Sequence, residues 1–426
     1  MTSPHTSLAV TAGWVGVGFL IGVVAHSVWP TTPVSMIVLS GAVALATVVT
    51  ILGWKTPRVR LIGLCLLALI AGVWRFEVAR PTMPRGLVFG SPRGLAYVSS
   101  DVRVSDDTDP RYWLGRGRRA LTVRAQTRLT TDQSALLTGL LYGERDLSKP
   151  LKDRFRRAGL LHLVAVSGSN VTIIAVIVMQ FLIGIGLARR QAFVALALAL
   201  VTFVLFVSPS ASVVRAAIMG LLIECAPLVG RVPRPSRLLL VSALVFVGWK
   251  PWALVFDASF ALSFLAMWGL LTWGTWLDAR LRTILPQDLL RGILAATVGA
   301  TLMTIPYTAW AFGQLTVWGL VTGFLALPLV PWAMGFGAIA LALPVWPWAL
   351  LPAQGFLELI LGVARLPDLI PLGVWSHLAV SWQMMIGGYI LLFMLWRSVQ
   401  KKNKLIHISS SQKSEDLVDA QVVSRE

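Results

Sequence analysis

Residues 139–171, GLLYGERDLSKPLKDRFRRAGLLHLVAVSGSNV, join a basic amphipathic segment to a hydrophobic run of membrane grade. The junction is polar, with His162, Ser167, Gly168, Ser169 and Asn170 standing where the apolar run begins. A lipid-facing helix has no use for such a string, because each polar atom left unpaired in hydrocarbon costs free energy. The stretch therefore needs a polar neighbour, either another helix or a passing substrate. Upstream, Ser148 is placed to cap a helix, with Pro150 in its first turn and Gly159 as its stop. Leu151, Phe155 and Ala158 fall on one face of that helix, while Lys152, Arg154, Arg156 and Arg157 cover the rest. This is the pattern of a basic amphipathic helix lying in the membrane interface.

Working outward, the apolar run proves to be one of many. Of 426 residues 56% are hydrophobic and 13% charged, and the mean hydropathy is +0.75, whereas ordinary globular domains carry about 25% charged residues. Runs long enough to span recur near 8–28, 34–54, 59–78, 162–187, 191–208, 211–229, 237–249, 254–277, 292–313, 315–343, 347–364 and 379–397. The expected fold is an all-α polytopic membrane protein of about 10–12 transmembrane or re-entrant helices, some broken at Gly and Pro. The first run lacks a basic leading region and reads as a retained span.

Much of the formal charge of +18 is topological. Lys55, Arg58 and Arg60 mark one loop, Arg189 and Arg190 a second, and Arg231, Arg234 and Arg237 a third. Arg280, Arg282 and Arg291 mark a fourth, and Arg397, Lys401, Lys402 and Lys404 follow the last span. Placing all five clusters in the cytoplasm puts both termini there and lets the spans alternate. Residues 79–161 then lie outside, with 16 Lys plus Arg against 8 Asp plus Glu. Within them LAYVSSDVRVS (95–105) and RALTVRAQTRL (119–129) alternate like strands around the turn signal DDTDP. The reading is a three-span region at 1–78, a small extracytoplasmic basic β-rich segment at 79–132, interfacial helices and eight or nine spans at 133–397, and a disordered cytoplasmic tail at 398–426.

No catalytic, metal or cofactor site is expected. Cys65 and Cys225 lie inside apolar runs, and the five histidines are scattered. His162 and Ser167 would point about 140° apart on one helix, which disfavours a nucleophile and its base. Polar groups at membrane depth carry more weight. Arg215 lies a few residues inside its span, where it either snorkels or meets a phosphate at a channel mouth. Glu224 follows near mid-span and is neutral or paired. Asp257 is placed to cap a helix on which Ser259 and Ser263 share one face. Outside, Tyr112 and Trp113 interleave with Arg116, Arg118 and Arg119, the mixture of stacking rings and phosphate-holding cations that binds single strands. Arg154, Arg156 and Arg157 extend that basic surface. A carrier or channel for another anionic solute, or an intramembrane hydrolase, stays open as an alternative.

Four blocks resemble the ComEC family of competence DNA-uptake channels, in that family's order. They are GLLYGERD with FRRAGLLHLVAVSGSNV; SVVRAAIMG; the Trp249-Lys250-Pro251 turn with FDASFALSFLA; and IPYTAWAFGQL with GFLALPLV. The resemblance covers about 135–335 and makes 133–397 a competence-type channel domain of the bacterial cytoplasmic (inner) membrane. It implies translocation of single-stranded DNA during natural transformation, with His162, Ser167, Gly168, Asn170, Arg215, Asp257, Ser259 and Ser263 as channel-core or DNA-path positions. The partners implied are single-stranded DNA, the lipid bilayer, a separate DNA receptor, a nuclease, and a cytoplasmic motor or single-strand-binding protein. The chain departs from full-length members in its short outer segment and in lacking the His/Asp motif of a metallo-β-lactamase-like domain, so nuclease activity is not implied.

Overall fold

The structure, a computed structural model, describes residues 4–28, 36–52, 56–79, 110–144, 147–164, 168–207, 211–230, 232–343, 348, 350–369, 373–376 and 378–400. The expected strand at 95–105, Ser167, His377 and the tail beyond residue 400 lie outside them. Three helices open the chain: α1 (Pro4–Val28), α2 (Met36–Leu52) and α3 (Pro57–Ala79). The α1 and α3 backbones touch through glycines, since a Cβ at Gly22 would clash with Leu69 O and one at Gly72 with Phe19 O. Gly18 and Gly22 form the small-xxx-small spacing that permits such contact in lipid.

Next come α4 (Pro110–Arg128), α5 (Thr131–Tyr142), α6 (Lys149–Arg157) and α7 (Leu161–Val164). Four apolar helices follow, α8 (Gly168–Gly184), α9 (Arg189–Val207), α10 (Ala211–Leu228) and α11 (Pro235–Trp249). A short α12 (Ala253–Phe256) leads into α13 (Ala258–Gly269), a π turn (Leu270–Gly274) and α14 (Thr275–Leu281). The long α15 (Asp288–Phe312) precedes β1 (Gln314–Thr316), α16 (Trp318–Ala326) and α17 (Val330–Ala342). The last elements are α18 (Leu350–Ala364), α19 (Leu366–Leu369), β2 (Val374–Ser376) and a helix over 382–400, α20.

Among the described residues six helical stretches are long and apolar enough to cross a membrane: Val10–Ser27, Pro57–Ala79, Arg189–Val207, Ala258–Leu281, Asp288–Phe312 and Leu350–Leu369. The α16–α17 pair, bent by 47°, is a seventh taken as one broken span. The remaining expected spans are helical as well, with α2, α8 and α11 contributing shorter apolar helices. The protein is thus an all-α polytopic membrane protein. Its only described sheet is the antiparallel pair β1–β2, in register Gln314↔Ser376, Leu315↔Trp375 and Thr316↔Val374.

Three expectations need correction. RALTVRAQTRL belongs to α4 and is not a strand. Leu121, Ala125 and Leu129 recur every four residues, and that face packs into the core, leaving Val123 exposed. A second correction concerns α6. Its caps are as read from sequence: Ser148 Oγ accepts from Leu151 N, Pro150 sits in the first turn and Gly159 follows the end at φ 69°. Its apolar face, however, is not laid on lipid. Leu151, Phe155 and Ala158 are buried in a cluster with Leu160, Leu163, Val330 and Leu361. Third, residues 398–400 continue α20, so the helix outruns the expected start of the tail.

Ion pairs and hydrogen bonds join helix ends that the alternating topology assigns to one side. Arg75 donates to the carbonyls of Gly248 (2.7 Å) and Trp249 (2.9 Å), capping α11. His26 pairs with Glu77 at 2.5 Å. On the opposite side Arg291 pairs with Asp278 (2.8 Å) and Asp288 (2.5 Å), and Arg189 reaches Glu224 (3.6 Å). Glu224 is therefore ion-paired to a neighbouring helix.

Candidate functional site

The corner between α12 and α13 is built by Asp257. Its Oδ1 accepts hydrogen bonds from Ser259 N (2.8 Å) and Phe260 N (3.2 Å), so it caps α13 as the sequence suggested. From that start α13 carries Ser263 one turn beyond Ser259, facing α10. There Arg215 Nε donates to Ser263 Oγ at 2.8 Å. The guanidinium also lies 5.8 Å from the Phe264 ring centroid, and its Nη1 is 3.8 Å from Met219 Sδ.

Arg215 is 6% exposed, so it does not snorkel to the interface. Among the described residues no carboxylate pairs with it; a hydroxyl, a thioether and a ring face stand in. Such a cation is costly inside a bundle unless an anion or water completes its shell. The aromatic wall beside it is continuous, with Phe246 stacked on Phe260 (5.5 Å) and Phe260 on Phe264 (4.2 Å).

Opposite α13 stands α15, and the two backbones meet at glycines. A Cβ on Gly269 would clash with Gly299 O, and one on Gly299 would lie 2.6 Å from Gly274 N. The π turn occupies this crossing, which lets the helix swing past α15. Tyr307 of α15 is buried against Ala258, Ala261, Leu262 and Leu265, and among the described residues its hydroxyl has no hydrogen-bond partner. Tyr307 stands in the IPYTAW block, yet neither it nor these glycines was singled out from sequence, because close approach is a property of pairs of helices.

The other sequence candidates divide. Gly168 starts α8, while the side chain of Asn170 lies outside the described residues. His162 Nδ1–H donates to Gly159 O at 3.0 Å, which turns that ring edge to its own backbone. Gly159 in turn abuts α16, for a Cβ there would sit 2.7 Å from Gly319 Cα. Thr316 Oγ1 and Thr322 Oγ1 donate to Arg157 O (2.8 Å) and Ala158 O (2.6 Å), tying the end of α6 to β1 and α16.

On the basic helices, Arg154 Nε reaches Asp368 Oδ2 (3.3 Å) and Arg157 Nη2 reaches Asp368 Oδ1 (2.7 Å), so one carboxylate holds two arginines. Arg156 pairs with Asp153 at 2.8 Å. In α4, Arg116 and Arg119 are exposed and Arg118 is half-buried, and the side chains of Tyr112 and Trp113 fall outside the described residues. Arg124 and Arg128 donate to Leu341 O (3.2 Å) and Ala340 O (3.3 Å), satisfying carbonyls at the end of α17. Among the described residues no group of three metal-ligating side chains comes together.

A family model described as "Competence protein" matches residues 140–402. ComE operon protein 3 of Bacillus subtilis (strain 168) is 24% identical over 244 residues, covering 57% of this chain and 30% of the relative's length. No solved structure matches.

Proposed function

The chain belongs to the competence protein family, and on that premise we propose that it forms a conduit for single-stranded DNA across the bacterial cytoplasmic membrane during natural transformation. The observation that carries this reading is Arg215. It is a buried cation held by Ser263, and among the described residues no carboxylate pairs with it. A phosphodiester supplies a negative charge, and guanidinium planarity suits two of its oxygens. Asp257 sets the register of α13 and so the position of Ser263, and we propose Ser259, His162, Ser167, Gly168 and Asn170 as further positions along the DNA path. The chain works as a channel and not as an enzyme, with both termini in the cytoplasm. It receives the strand from a separate DNA receptor and nuclease, and hands it to a cytoplasmic motor or single-strand-binding protein.

The test is DNase-protected uptake of labelled DNA in a competent host that lacks its own channel, complemented with this chain and supplied with a nuclease partner. Protected DNA entering the cytosol, and its loss in Arg215→Ala at equal membrane insertion, is the expected result. DNA that binds outside but never enters overturns the proposal and leaves transport of another anionic solute as the successor.

A further inference from the structure

The segment read from sequence as an outer surface layer runs down into the bundle. Asp368, at the far end of α18–α19, holds Arg154 and Arg157. Near the opposite end of α18, Gln354 Nε2 donates to Arg128 O (3.4 Å), and one turn on, Gln133 Nε2 donates to Glu358 Oε2 (3.2 Å). From Gln354 to Asp368 the helical rise amounts to about 20 Å. The α4–α5 turn at 129–131 therefore lies deep along a membrane-spanning helix, in a hydrocarbon core about 30 Å thick. Contacts of α4 with α9 and α17, and of α5 with α17 and α18, fix this placement. Gly337 of α17 packs on Leu137 of α5.

The face that α4 turns away from its neighbours is polar. Arg116, Arg119, Arg124, Gln126 and Thr127 are exposed there, with Ala120 and Val123 among them. Arg119 has no partner among the described residues, and it sits about 13 Å along the helix axis from Arg128. That distance returns Arg119, and Arg116 a turn further, to the outer end of the hairpin, while the exposed Arg124, Gln126 and Thr127 stand near the deep turn, where lipid accepts an arginine only at a penalty of several kcal/mol or with a local water defect. A second observation points the same way. Between α4 and α5 lies a cavity of about 240 Å³ lined by Thr122, Gln126, Ser134, Thr138 and Glu144, in which Thr122 Oγ1 bonds to Tyr142 OH (2.8 Å) and Glu144 Oε2 (2.5 Å). The cleft has room for water, and its hydroxyl, amide and carboxylate groups offer the hydrogen-bond partners that water needs.

We propose that the α4–α5 hairpin enters the membrane and that the outward face of α4 is one wall of a water-filled passage, at whose outer mouth Arg116 and Arg119 take the phosphodiester backbone of the strand. This rests on the reading of the protein as a DNA conduit and adds the element that carries the phosphates. Successive arginines along one helix suit a ligand with a charge at every repeat, and the contact is indifferent to base sequence.

The test leaves the arginines in place. In the full chain in membranes, with Cys65 and Cys225 replaced by Ser, Val123→Cys and the deeper Thr127→Cys are exposed to a membrane-impermeant cationic thiol reagent. Leu198→Cys on the exposed side of α9 is the lipid-facing control. Labelling of Val123→Cys and Thr127→Cys but not of Leu198→Cys, slowed several-fold by oligothymidylate, is the expected result. Failure of both α4 cysteines to label, in protein that labels fully once denatured, puts the face in lipid and overturns the inference. Labelling that oligothymidylate does not slow, in a chain that still imports DNA, overturns the assignment to α4 and leaves the conduit standing. Absence of both protection and import overturns the DNA reading, and this inference with it.

Discussion

Gly299 of α15 lies against the backbone of Gly274 in the π turn, so closely that a Cβ at residue 299 would stand 2.6 Å from Gly274 N. Without a hydrophobic force to join helices in lipid, close backbone packing of this kind is a main source of association. Gly299→Ala should therefore lower the melting temperature of the detergent-solubilised protein, at an overpacking cost of about 1–3 kcal/mol. Gly292→Ala on the same helix, where a Cβ meets nothing within 4 Å, should leave it unchanged or raised. Equal melting of the two variants would remove the glycine crossing as a structural determinant.

Gly159 offers a second test with an internal control. Its φ of 69° alone makes an alanine unfavourable by about 1–2 kcal/mol, and the Gly319 backbone adds a clash at 2.7 Å. Gly230 has φ 64° and open space around its Cβ position. Gly159→Ala should destabilise clearly more than Gly230→Ala in a thermal melt, the difference reporting the contact between α6 and α16.

Ser263→Ala removes the hydroxyl that holds Arg215 and leaves a buried donor unsatisfied, a loss of about 1–3 kcal/mol. Protected DNA uptake should drop about tenfold, since 1.4 kcal/mol corresponds to a factor of ten. Ser263→Thr, which keeps the acceptor, should restore most of it. Full uptake in Ser263→Ala would show the hydrogen bond to be dispensable.

Asp368 competes with any phosphate for Arg154 and Arg157. Asp368→Asn should bind oligothymidylate more tightly in fluorescence anisotropy. Two released arginines should also steepen the dependence of log K on log salt by about 1.4. Unchanged affinity and slope would mean that the two arginines serve only to fasten α6 to α19.

Much of the architecture was legible in the residues themselves. Composition and run length dictate a membrane protein, because about 20 apolar residues with satisfied backbone bonds have no better solvent than lipid. The stops and starts of α6 and α13 were readable for a similar reason: Ser148, Pro150, Gly159 and Asp257 act on backbone atoms within three or so residues.

What the tertiary structure alone decided concerns partners far apart in the chain. RALTVRAQTRL satisfies a two-residue alternation and a four-residue one at once, and only the neighbours packed on Leu121, Ala125 and Leu129 select the helix. The basic composition of α4 to α6 suggested a surface, yet α18 draws the α4–α5 turn inward through Gln133, Glu358 and Gln354. Arg215 and Ser263 are 48 positions apart, and whether a buried arginine faces lipid, a carboxylate or a hydroxyl is fixed by which helix stands beside it. Hydropathy and capping are local energies and are written in the local sequence; the identity of a facing side chain is set by the packing of whole helices, and no short stretch of residues contains it.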